Sequence, residues 1–157
     1  MITKISRALA LSLTLSLAVA PAARLAHACG GYGDYDPNVT SARLRALQAA
    51  DALQSRNASA ALASFTADAS ASHEYRGCCQ APTWSAADWI RLRFADPTWR
   101  VGSLSRLVRT PDGTAFVATF TGGTIASIPS THTFTIALEG QQWKISRVYT
   151  AREARAA

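Results

Sequence analysis

Residues 131–150, "THTFTIALEGQQWKISRVYT", carry the alternation that decides the fold. In the first half His132, Phe134, Ile136 and Leu138 fall on one face, with Thr131, Thr133 and Thr135 on the other. A period of two is that of a half-buried strand. Glu139-Gly140 makes a turn, and Trp143, Ile145, Arg147 and Tyr149 then share one face of a second strand. Upstream, "WRVGSLSRLVRT" (99–110) and "TAFVATFTGG" (114–123) flank Pro111-Asp112-Gly113. Proline presets the first turn dihedral there and glycine accepts a positive one, so these segments read as a hairpin. Gly122-Gly123 reads as a further turn, because no helix follows it to make a phosphate site.

Ahead of this β-rich half the pattern is helical. "SARLRALQAADALQSR" (41–56) has no glycine, proline or β-branched residue, and Leu44, Leu47 and Leu53 with the intervening alanines are expected to share one broad face, with Thr40 or Ser41 as N-cap. Asn57 interrupts, "ASAALASF" (58–65) makes a second short helix with Leu62 and Phe65 inward, and Ala69 to Cys78 alternate as a strand with Ala71, His73 and Tyr75 on one face and Ser72, Glu74 and Arg76 on the other. "SAADWIRLRF" (85–94) is a third helix, capped by Ser85, with Trp89 and Leu92 or Phe94 as its apolar contacts, and stopped by Asp96-Pro97.

The ends read differently from the domain. Lys4 and Arg7 precede the uncharged run Ala8–Ala20, Pro21 breaks it, and Ala26-His27-Ala28 supplies small residues at a cleavage site, so residues 1–28 are expected to be a signal peptide. Residues 29–38 then form a flexible tether, 39–151 the folded domain and 152–157 a frayed tail. The expected address is outside the cytoplasm, periplasmic or extracellular. Cys29 would become the first mature residue, where either plain secretion or lipid anchoring fits. A membrane is expected to be met only through such a lipid. Without Lys4, Arg7 and Arg24 the chain keeps 13 basic and 10 acidic residues. The arginines are spread along it rather than clustered, so no nucleic-acid partner is expected.

Cys78 and Cys79 are adjacent, and Cys29 is the third cysteine. An oxidising compartment permits disulfides. Three arrangements stay open: a strained bond within the vicinal pair, a bond from Cys29 to either member, or acylation of Cys29 with the pair bonded, free or joined to another chain. Neither a Cys-x-x-Cys motif nor a Ser-His-Asp spacing is present.

The order of elements, with "LQSRNASAALASFTADAS" (53–70), "WSAADWIRLRF" (84–94) and "GQQWKISRVYT" (140–150), resembles the nuclear transport factor 2-like superfamily, which includes ketosteroid isomerase and the SnoaL-like cyclases. The resemblance implies an exported bacterial member of that group. Its fold would be α+β: a cone-shaped curved antiparallel sheet wrapped around three N-terminal helices, with a pocket at the open end. It also implies that the isomerase's aspartate base falls at His73, while its tyrosine and protonated aspartate donors fall at Ala49 and near Phe134. Both oxyanion donors are thus missing, and steroid isomerisation is not expected.

The candidate site is accordingly His73 and Tyr75 as catalytic residues, with Trp84, Trp89, His132, Phe134, Trp143, Arg147 and Tyr149 around a ligand. Two histidines without a paired carboxylate do not make a metal site, and no cofactor is expected. The leading expectation is an exported domain that binds a small apolar or aromatic molecule without catalysis. A cofactor-independent isomerase, dehydratase or hydrolase using His73 as general base is the alternative. A homodimeric interaction module, paired through its threonine-rich strand faces, is the second alternative.

Overall fold

The computed structural model describes residues 36–74 and 82–152. Tyr75, Cys29, Cys78 and Cys79, with the leader and most of the tether and tail, lie outside the described residues. The elements run α1 (Pro37–Gln54), α2 (Ala58–Ala63), β1 (Phe65–His73), β2 (Thr83–Ser85), α3 (Ala86–Ala95), β3 (Ser103–Arg109), β4 (Ala115–Ile125), β5 (Ile128–Glu139) and β6 (Gln142–Arg152). Their sheet has the order β2-β1-β6-β5-β4-β3. It is mixed rather than wholly antiparallel, because β1 runs parallel to its neighbour β6. Bulges in the β1–β6, β3–β4, β4–β5 and β5–β6 pairings bend it into an open, curved sheet.

α1 begins earlier than expected. The Asp36 carboxylate accepts the Asn38 N–H at 2.8 Å and Pro37 occupies the first turn, so neither Thr40 nor Ser41 caps the helix. Its buried face is Ala42, Ala46, Ala49, Ala52 and Leu53, which packs toward β3, β4, β5 and β6. Leu44 and Leu47 point away, 56% and 44% exposed. A small-residue face lets the helix lie close to the sheet, and that closeness outweighs the leucines' larger transfer energy. α3 covers β1 and β2 and is capped by Ser85, as expected, with Trp89, Ile90 and Arg93 inward and Leu92 exposed.

Two further boundaries differ. β1 starts at Phe65, not Ala69, because the Ser64 carbonyl already accepts the Ile145 N–H at 2.8 Å and begins the pairing with β6. Phe65 is therefore buried from a strand, and Leu62 is exposed. Gly122-Gly123 is not a turn; β4 runs through it with a bulge. The chain reverses at Ala126-Ser127, both with positive φ (48° and 62°), between the paired Ile125 and Ile128. The Asp96 carboxylate accepts the Ala126 N–H at 2.7 Å and the Thr98 hydroxyl accepts the Ser127 N–H at 2.8 Å, bracing a turn that lacks the usual Asn-Gly signal.

The core joins these elements through aromatic edges. Trp89 of α3 meets Trp99 edge-on at 5.7 Å, and Trp99 meets the His132 ring at 5.9 Å. Phe120 and Phe134 pack at 4.9 Å.

Candidate functional site

A polar row crosses the interior of this apolar core. On β1, β6 and β5, His73, Thr150 and His132 stand level on three adjacent strands, and all are buried. Ser130, one step along β5, is buried beside them. β4 continues the row with Phe120, level with His132. The row therefore passes from polar to aromatic within the width of the sheet.

His132 is held from both sides of its ring. Its Nε2 lies 3.1 Å from the Arg100 carbonyl, which can only accept, so Nε2 carries the proton. Nδ1 then accepts from the Thr150 hydroxyl at 3.1 Å, while the Ser130 hydroxyl lies 3.3 Å from Nε2. Burial pushes the imidazole pKa down to about 4, against the opposing pull of the Arg100 carbonyl. His132 is thus neutral at physiological pH and ties the strand pair β5–β6 to the segment entering β3. Gly123 makes this possible: a Cβ there would lie 2.8 Å from the His132 ring and 2.7 Å from the Arg100 carbonyl oxygen.

His73 is set by Arg93. The guanidinium of Arg93, 5% exposed and inward on α3, lies 3.3 Å from Nδ1 of His73, itself 2% exposed. A guanidinium is donor-only, so Nδ1 accepts and the proton sits on Nε2. Burial, then the charges of Arg93 and Arg152, lowers the His73 pKa to about 4, with Glu74 opposing. The Arg93 guanidinium also lies 6.0 Å from the centre of the Trp89 ring. Near neutrality this end of the row presents two neutral imidazoles beside two arginine cations.

The fold of this chain is found in solved structures of other proteins. An NTF2-like protein of unknown function from Shewanella baltica superposes with a TM-score of 0.61 at 10% identity, covering 78% of this chain and 98% of that one. The chain has the nuclear transport factor 2-like fold. A ketosteroid isomerase-like protein from Erwinia carotovora atroseptica gives 0.57 at 13% identity over 76% and 99% of the two chains. An NTF2-like protein of unknown function from Silicibacter pomeroyi gives 0.58 at 16% identity over 74% and 96%. No protein-family model and no curated protein matches the sequence.

Within this nuclear transport factor 2-like domain the expected site residues are dispersed. His73 and His132 both lie in the row, on either side of Thr150. Trp89 and Phe134 are core residues. Trp84 lines an outer concavity of about 410 Å³ with Asp88, Arg91 and Leu92, and Trp143 lines another of about 510 Å³ with Leu44 and Leu138. Arg147 and Tyr149 do not face the interior. The β5–β6 pairing slips between Thr135 and Ile136, leaving Ser146 as an extra residue, and every side chain after it changes face. Arg147 borders an outer hollow with Asp68 and Asp112, and the pKa of Tyr149 is raised by burial and then by its hydrogen bond with Glu74.

Val148, Thr150 and Arg152 take the inward positions instead. Thr150 was hidden by that bulge, which has no sequence signal in "KISRVYT". Arg93 was legible: it lies four residues after Trp89, one helical turn along the same inward face.

Proposed function

We propose that this chain is an exported small-molecule-binding domain that holds a mainly apolar or aromatic ligand against the interior row at the polar end of its sheet, without acid–base catalysis. One observation carries the preference for binding over catalysis. The Nδ1 lone pair that a general base at His73 would use faces the Arg93 guanidinium at 3.3 Å, and a pKa of about 4 leaves little basicity near neutral pH. Nε2–H is a hydrogen-bond donor. A ligand whose body packs among aromatic side chains and whose polar tip accepts a hydrogen bond suits such surroundings. The positions that carry oxyanion donors in the isomerase pattern, Ala49 and Phe134, are buried apolar residues here, which also favours binding.

The test is solvent extraction of the purified protein followed by mass spectrometry, paired with NMR titration of indole and p-cresol as probes. Indole or p-cresol is expected to shift the signals of Thr150, Val148 and His73, and His73→Ala is expected to retain most of the affinity. Turnover of any bound compound that disappears in His73→Ala would replace this reading with the catalytic one. Absence of both an extracted compound and any interior shift would remove it.

A further inference from the structure

α1 ends in a complete Schellman motif: the Asn57 N–H donates to the Ala52 carbonyl at 2.9 Å and the Arg56 N–H to the Leu53 carbonyl at 3.2 Å. Its left-handed residue is Arg56, with φ 56°, where glycine is the relaxed choice. The strained position aims a long cation across to the turn after α3. There the Arg56 guanidinium donates to the Phe94 carbonyl and, at 2.8 Å, to the Asp96 carbonyl. Arg100 is held on the same turn, donating through one terminal nitrogen to the carbonyls of Pro97 at 3.0 Å and Trp99 at 2.8 Å.

The two guanidiniums border one concavity of about 360 Å³, lined by Gln54, Arg56, Phe94, Ala95, Pro97 and Arg100. Among the described residues no carboxylate lines it. The ion pairs among the described residues belong to Arg91, Arg109 and Lys144, and the nearby Asp96 carboxylate is taken up by Thr98 and Ala126. Gln54 gives its carbonyl oxygen to the Val101 N–H at 3.3 Å, which leaves its amide NH₂ as a donor. Among the described residues Nε and the second terminal nitrogen of Arg100 have no acceptor. The hollow thus combines donor-only polar groups, two positive charges fixed by backbone carbonyls, and an apolar wall of Phe94, Ala95 and Pro97.

We propose that this hollow binds a small organic oxyanion, with its carboxylate or phosphate group between Arg56 and Arg100 and its apolar part against Phe94 and Pro97. Planar guanidiniums match the paired oxygens of both groups, and prepositioning by carbonyls lowers the entropy lost on binding. The site lies outside the interior row and does not depend on the function proposed for it. The two meet at Arg100, whose carbonyl accepts from His132 on the inner side.

The experiment is an NMR titration of the purified protein with benzoate and, separately, inorganic phosphate, against sodium chloride at matched ionic strength, read on the arginine Nε–H signals. Saturable shifts at Arg56 and Arg100 are expected with one or both anions and not with chloride; benzoate alone assigns a carboxylate on an aromatic body, phosphate alone a phosphate group. Arg100→Gln removes the exposed cation without touching the brace on α3 and is expected to raise Kd about tenfold, as befits loss of a charge-assisted contact. Arg100→Glu should abolish the shifts while thermal unfolding stays near that of the parent. Shifts equal to those with chloride, or a Kd that Arg100→Gln leaves unchanged, would overturn the proposal.

Discussion

The Thr150 hydroxyl lies 3.1 Å from Nδ1 of His132, and both groups are wholly buried. The Arg100 carbonyl fixes the proton on Nε2 of that ring, so Thr150 must be the donor. Thr150→Val keeps the shape and removes the O–H, stranding a buried acceptor at a cost of about 1–3 kcal/mol. Thr150→Ser should recover most of that. Urea unfolding of the three proteins, with ¹⁵N shifts of His132 reporting the tautomer, checks the assignment; a Thr150→Val protein as stable as the parent would contradict it.

The same two histidines set an acid limit. In the unfolded chain each binds a proton near its ordinary pKa of 6.5, whereas in the folded protein burial and, for His73, the Arg93 and Arg152 charges hold each near 4. Below 6.5 the unfolded state therefore binds more protons, and stability falls as pH falls. The contribution is fully present above pH 6.5 and is lost between 6.5 and about 4, at a limiting slope of about 2.7 kcal/mol per pH unit for two protons. Asp96 adds to the loss only at lower pH: burial raises its pKa, but hydrogen bonds from Ala126 and Thr98 bring it below the ordinary carboxylate value. Urea midpoints at pH 7, 5.5 and 4.5 should show the slope, and His73→Gln should remove about half of it. A flat profile would mean that the rings are not held neutral.

How much of this was legible depends on what each residue's signal had to compete with. Alternation in 131–138 marked β5 and put His132 on the inward face, because the extra residue of the bulge beside Thr135 and Ile136 belongs to β6 and leaves the β5 alternation intact. In β6 the same logic failed after Ser146, where one unpaired residue reverses the faces and exchanges Arg147 and Tyr149 for Val148 and Thr150. On α1 one broad apolar face was expected, but only its alanines and Leu53 fit the close approach to the sheet, and Leu44 and Leu47 were left outside. The β4–β5 turn escaped notice because its stabilising partners, Asp96 and Thr98, lie about 30 residues upstream. Long-range braces leave no local motif.

That turn yields a further expected outcome. Ala126 and Ser127 both have left-handed dihedrals, which cost L-residues with a Cβ roughly 1 kcal/mol or more apiece relative to Asn-Gly. Their N–H groups are bonded to Asp96 and Thr98 through backbone atoms that any residue supplies. Ala126→Asn combined with Ser127→Gly should therefore keep the brace and relieve the strain, raising stability by about 1–2 kcal/mol. The urea midpoint should rise with an unchanged slope, since the surface exposed on unfolding is the same. Asp96→Ala in the parent should lower the midpoint by removing the acceptor of the Ala126 and Thr98 N–H groups, and should do less harm in the Asn-Gly protein, whose turn needs less support. Equal losses in the two backgrounds would show that the carboxylate acts on the 96–98 segment alone and not on the hairpin.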